Sequence, residues 1–146
     1  MGYTVYWHRP KKVSDDVMGS ALIDFMELLY HDVFDFDLVG PVGEGDVIVD
    51  DDYIAFNGTR KEGACESFNF PADISGDRFL QEVDDGLYLE FAKTRRLPYD
   101  LAVKTILLIF KQYLGDDLVI ASDGFVEDEE GNTNFEKAEQ IIEEYL

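Results

Sequence analysis

Cysteine, histidine and positive charge are all scarce in this chain of 146 residues: one Cys, two His, and twelve Lys plus Arg against thirty-two Asp plus Glu. Cys65 has no second cysteine with which to close an internal disulfide, which fits a reducing compartment and a cytoplasmic setting. His8 and His31 with a single thiol do not make a transition-metal site. No metal or other cofactor is expected. Long hydrophobic runs are missing as well. The longest, Ile106 to Phe110, is far too short to cross a bilayer. The opening residues lack an apolar signal core and a small-residue cleavage site, and read as a mature strand.

What is abundant is negative charge, with a formal net charge of −20. Such a field repels phosphate backbones and anionic headgroups, so neither direct nucleic-acid binding nor membrane binding is expected. It favours basic protein surfaces, which are usually those of nucleic-acid-handling proteins; the plainer use of the same charge is solubility. The charge is unevenly spread. Residues 1–76 carry fifteen carboxylates and five Lys or Arg, residues 77–114 six of each, and residues 115–146 eleven carboxylates with only Lys137.

The apolar fraction of 46%, with 11 Phe and 8 Tyr, is enough for one domain over residues 1–146 with a proper core. Tyr3 to His8 alternates as a strand. Ser14 is placed to cap a helix with Asp15 and Asp16 in its first turn, and apolar residues recur at helical spacing to about Phe34. Val47–Val49, Tyr53–Phe56, Cys65–Phe70 and Leu87–Ala92 read as strands, with Asn57-Gly58 as a turn. Pro98 opens a helix that is apolar nearly all round and ends near Gly115. Leu118–Ala121 is a short strand. Thr133 or Asn134 caps a last amphipathic helix with Phe135, Ala138, Ile141, Ile142 and Tyr145 inward. The expectation is a single α+β domain, a mostly antiparallel sheet of about six strands packed against three helices.

Candidate chemistry divides into two groups. The first is the acidic C-terminal region: Asp116, Asp117, Asp123, Glu127, Asp128, Glu129, Glu130, Glu136, Glu139 and Glu143. On the expected last helix Glu136, Glu139 and Glu143 share one stripe. Carboxylates one turn apart, ~5.4 Å, approach the ~7 Å repeat of phosphates along a DNA strand. The plain reading of the same stripe is a solvated face. A calcium loop fails on spacing: with Gly131 or Gly124 at the sixth position, the first ligand would be Val126 or Val119. Asp50-Asp51-Asp52 reads as a hairpin tip. The second group is Lys93, Thr94, Arg96, Tyr99, Asp100 and Ser122, basic and polar residues around a helix N-terminus that could form an anion or small-ligand pocket. There is no Gly-rich phosphate loop beside them, and Asp100 and Lys104 are placed for an ordinary i,i+4 pair. Ser122-Asp123-Gly124 is more economically a turn than a nucleophile site, having no histidine base nearby in sequence.

Phe91-Ala92-Lys93-Thr94-Arg95-Arg96-Leu97-Pro98-Tyr99-Asp100, the apolar helix and Ser122-Asp123-Gly124 resemble a family of small bacterial and phage-borne α+β proteins of uncharacterised activity. That family carries a similar Phe-x-Lys-Thr, Pro-Tyr-Asp and Ser-Asp-Gly pattern. Phe56-Asn57-Gly58 and Glu66-Ser67-Phe68 resemble its middle strands, so the likeness spans roughly residues 53–125. It often has Cys where Ala92 stands, so no thiol role carries over, and the acidic tail departs from it. The resemblance implies a fold and a mobile-element setting. The functional expectation is a non-enzymatic acidic interaction protein, phage-encoded in the setting the resemblance implies, that binds a basic, nucleic-acid-handling host protein as a nucleic-acid mimic or inhibitor. The alternative is a small-ligand binder or enzyme with a pocket at the start of the helix over 98–114.

Overall fold

The computed structural model describes residues 3–122 and 134–146. In chain order these form β1 (Thr4–Pro10), α1 (Asp15–Tyr30), β2 (Leu38–Val39), β3 (Ile48–Asp50), β4 (Tyr53–Gly58), β5 (Phe68–Pro71), β6 (Glu82–Asp84), β7 (Leu87–Lys93), α2 (Asp100–Leu114), a 3-10 turn (Gly115–Asp117), β8 (Val119–Ser122) and α3 (Phe135–Tyr145). The fold is α+β, with every strand pair antiparallel among the described residues.

The strands make two sheets where the sequence suggests one of about six strands. One sheet has the order β6-β7-β1-β8; in the other, β4 pairs with β2, β3 and β5, and β3 and β5 flank the same β4 residues from its two edges. The reason lies in partner choice. The β3-β4-β5 group is built from neighbours in sequence, whereas β1 takes β7 and β8 from the far half of the chain. Two short strands, β2 and β6, carry too few residues to show an alternating pattern.

Alternation in β1 puts Val5, Trp7 and Arg9 on one face, all buried. That face meets the second sheet through aromatics. Trp7 lies 5.3 Å from Phe68, and Phe68 lies 5.2 Å from Phe56. Phe56 stacks on Phe25 of α1, and Phe70 stacks on Phe110 of α2 at 4.1 Å. Each such ring, fully buried, stabilises the fold by ~1.5–3 kcal/mol before entropy is set against it. The α1 stripe Met18, Ala21, Leu22, Phe25 and Leu28 is buried at helical spacing. Ser14 caps the helix as its residue type predicts, its hydroxyl accepting from the Val17 N–H at 3.2 Å.

Some local expectations shift. The helix ends at Tyr30, not Phe34, because Asp32 turns left-handed (φ 53°) and sends Phe34 back into the core. Asn57-Gly58 is the end of β4, not a turn. A Cβ on Gly58 would sit 2.2 Å from the Gly63 carbonyl and 2.9 Å from the Tyr99 ring, so the glycine is there for close approach. The Cys65–Phe70 strand begins only at Phe68. On α3, Ala138 and Ile142 are buried, but Tyr145 points outward. As for α2, nine of its side chains are buried, including Asp100, Lys104 and Thr105, which makes it the central helix the sequence predicts.

Candidate functional site

The six polar residues grouped by sequence around the start of α2 separate in space into an interior network and a surface remainder. Two backbone N–H groups, of Thr94 and Arg95, bond the Tyr3 carbonyl and bring the end of β7 against the start of the chain's first strand. Arg95 and Arg96 then both adopt left-handed backbone (φ 53° and 56°), a costly pair of conformations for non-glycine residues. This tight corner drops Thr94 and Asp100 into contact. The Thr94 hydroxyl donates to Asp100 Oδ1 at 2.5 Å, and Lys104 Nζ lies 3.0 Å from Asp100 Oδ2. Both charged side chains of that pair are wholly buried.

The network continues beyond the motif. Lys104 Nζ donates to the Tyr3 hydroxyl at 2.6 Å, and sits 4.6 Å from the Tyr3 ring centre and 4.7 Å from that of Phe135. Asn134 Nδ2 donates to Asp100 Oδ2 at 2.9 Å, so this residue takes the N-cap position of α3 without capping it; its side chain serves Asp100 instead. The Tyr99 hydroxyl is directed at the Glu66 and Lys93 carbonyls, at 2.7 and 3.1 Å, and burial pushes its pKa well above the usual phenol value. A buried carboxylate and ammonium that satisfy one another in this way fix geometry more than they add stability.

Lys93, Arg96 and Ser122 are placed differently. Lys93 is exposed and, next to buried Ala92 and Thr94, points to the opposite side of the strand. Arg96 is half-buried with its guanidinium 5.4 Å from the Tyr3 ring centre. Ser122 ends β8, paired with Val5, which is in turn paired with Ala92 on its other side; two strand spacings, ~10 Å, separate Ser122 from Ala92. The i,i+4 pair of Asp100 and Lys104 forms as its spacing predicts. Sequence reasoning left Tyr3 and Asn134 out of the network, because both join it only through tertiary packing. It also left out a second interior cation, Arg9. This guanidinium is wholly buried, 4.1 Å over the Phe70 ring, donating to the Ala72 carbonyl and paired with Glu90 at 3.4 Å. Its place in the Val5–Trp7–Arg9 alternation is the signal that could have revealed it. Burial pushes the Glu90 carboxyl above the usual range, against the pull of Arg9 and the Trp7 N–H.

The acidic C-terminal candidates are mostly on the surface where described. Asp116 and Asp117 are exposed in the 3-10 turn that ends α2, where Lys111 Nζ donates to the Gly115 and Leu118 carbonyls. On α3, Glu136, Glu139 and Glu143 are all exposed, opposite the buried Ala138 and Ile142. The helix runs alongside α2 in the same direction: Asn134 meets Asp100 at the start, and Glu139 and Glu143 line a cleft with Lys111 and Gln112 near the end. Asp123, Glu127, Asp128, Glu129 and Glu130 lie outside the described residues. Among the described residues, no three His, Cys, Asp or Glu converge as a metal site, and no helix is long and apolar enough to cross a membrane. Comparison with protein families, with curated proteins and with solved structures gave no match to this chain.

Proposed function

We propose that this is a non-enzymatic interaction protein whose acidic surface binds a basic, nucleic-acid-handling protein and occupies the place of a nucleic acid there. The observation that carries the reading is the solvent-facing stripe of Glu136, Glu139 and Glu143 on α3, with Asp116 and Asp117 exposed at the end of the neighbouring helix. These carboxylates are exposed on a chain of net charge −20, so a basic partner relieves their repulsion from the rest of that charge on binding. The resemblance of residues 53–125 to small phage-borne proteins adds a setting in which an inhibitor of a host protein is useful. The alternative, a small-ligand or enzyme site at the start of α2, draws less support. Thr94, Tyr99 and Asp100 spend their hydrogen-bonding capacity on one another, on Lys104 and Asn134, and on backbone carbonyls.

Affinity capture from bacterial lysate tests the proposal, comparing the native chain with a Glu136→Gln/Glu139→Gln/Glu143→Gln variant. A basic protein should be retained by the first and largely lost by the second. Its affinity should fall steeply as salt is raised from about 50 to 300 mM, since screening shortens the reach of exposed charges to below ~10 Å. A captured protein whose affinity ignores salt would refute the reading.

A further inference from the structure

The longest stretch of the chain without a Lys or Arg lies in a different place from the C-terminal region. Residues 13–59 contain twelve carboxylates and not one Lys or Arg. This segment folds into α1, β2, β3 and β4, and between α1 and the β2–β3 edge it leaves an open groove of about 640 Å³. That size is in the range of recognition clefts. The floor is aliphatic and aromatic: Leu29, Val33, Phe36, Leu38 and Val47 line it. Its rim is anionic, formed by Asp32, Asp37 and Asp46, all exposed. Val49 joins the groove to a second depression, lined by Asp15, Asp50, Asp51 and Asp52.

The apolar surface does not stop at the groove. Met26 and Tyr30, which line it, are 52% and 83% exposed, and Ile23 on the same face of α1 is 69% exposed. Ile23, Met26 and Tyr30 stand at i, i+3 and i+7, a strip ~10 Å long. An apolar strip of this length beside an apolar groove is what a helical ligand with anchors at i, i+3 or i+4, and i+7 requires. Charge decides which helix. A second copy of the chain brings its own −20 to the contact, and a membrane surface brings anionic headgroups; both are repelled. A helix with Lys or Arg flanking its apolar stripe meets carboxylates on both sides of the groove.

We propose that this groove seats a basic amphipathic helix of a partner protein. The inference rests on the reading that the protein binds a basic partner, and adds a second contact on α1 and the β2–β3 edge, separate from the α3 stripe.

The test uses a labelled synthetic peptide of about 15 residues, four helical turns, with Leu at i, i+3, i+7 and i+10 and Lys elsewhere, titrated against the full chain. A scrambled peptide of the same composition is the control. The patterned peptide should bind at least about tenfold more tightly than the scrambled one, because only it presents its leucines together. Met26→Ser/Tyr30→Ser, at exposed positions that leave the core intact, should abolish that preference. Asp32→Asn/Asp46→Asn should weaken binding and reduce its salt dependence, and the triple α3 variant should leave the preference unchanged. Equal binding of the two peptides, or a preference that survives Met26→Ser/Tyr30→Ser, overturns the groove and leaves the basic-partner reading standing. Failure of both peptides to bind at low salt overturns the two together.

Discussion

Lys104→Met removes an ammonium and keeps most of the side chain's length, which makes it the cleanest probe of the interior network. In the native fold the Lys104 nitrogen is 3.0 Å from Asp100 and 2.6 Å from the Tyr3 hydroxyl, with both charged side chains fully buried. The thioether leaves the Asp100 carboxylate with hydrogen bonds from Thr94 and Asn134 but without its counter-charge. Stranding a buried charge in this way costs about 3–5 kcal/mol. Against a stability of about 5–15 kcal/mol for a domain of ordinary size, that is about a fifth of the total or more. At roughly 2–4 °C per kcal/mol, it lowers the melting temperature by about 6–20 °C. Asp100→Asn/Lys104→Met removes both charges while the amide oxygen still accepts from Thr94, so the double variant should lie within about 2 kcal/mol of the native protein. Urea unfolding provides the assay, followed by fluorescence of the single, buried Trp7 and by far-ultraviolet circular dichroism. A Lys104→Met loss below about 1 kcal/mol refutes the reasoning. So does a double variant as unstable as the two single variants summed.

Two further outcomes follow from the same structure. Gly58→Ala should destabilise the fold by at least about 1–3 kcal/mol, because the new methyl meets the Gly63 carbonyl and the Tyr99 ring; unchanged urea midpoints would show that this corner gives way freely. Stability should also rise on mild acidification. The Glu90 carboxyl is raised in the fold, so its stabilising contribution is complete below its unfolded pKa and is lost as pH climbs through the folded one. Relief of repulsion among the excess carboxylates works in the same direction. Asp73, held below the ordinary range by Ser75, acts oppositely, and only as pH falls through the acid range. The melting temperature is therefore expected to rise as pH falls from neutrality toward the ordinary carboxylate range, and to rise with added salt at neutral pH. A flat or falling profile over that window would contradict this account.

Local chemistry was readable from the sequence and pairing was not. Ser14 as a cap, the buried and largely apolar α2 and the Asp100–Lys104 spacing each depend on residues within a few positions of one another. The division into two sheets depends on β1 choosing β7 and β8 as neighbours, and nothing in Thr4 to Pro10 encodes which distant strand lies beside it. Side chains whose partners are far away were misjudged for the same reason. Asn134 looks like an N-cap and donates to Asp100, and Gly58 looks like a turn residue and makes room for Tyr99. On the surface, segment charges showed where the carboxylates are concentrated. They could not show that Asp32, Asp37 and Asp46 rim an apolar groove, since that needs α1 and the β2–β3 edge to be set side by side.

The position of β1 between β7 and β8 has a consequence for synthesis on the ribosome. Pro10 faces Leu87 and Thr4 faces Lys93, so this strand is made long before either flanking partner exists. At translation speeds of about 5–20 residues per second, it waits roughly 4–16 s with both edges unpaired and with Val5 and Trp7 uncovered. Residues 13–59, with twelve carboxylates and no Lys or Arg, are synthesised within that interval, and their charge opposes the approach of neighbouring nascent copies. The acidic segment next to β1 is therefore expected to oppose self-association of the unpaired strand until the rest of its sheet has been translated.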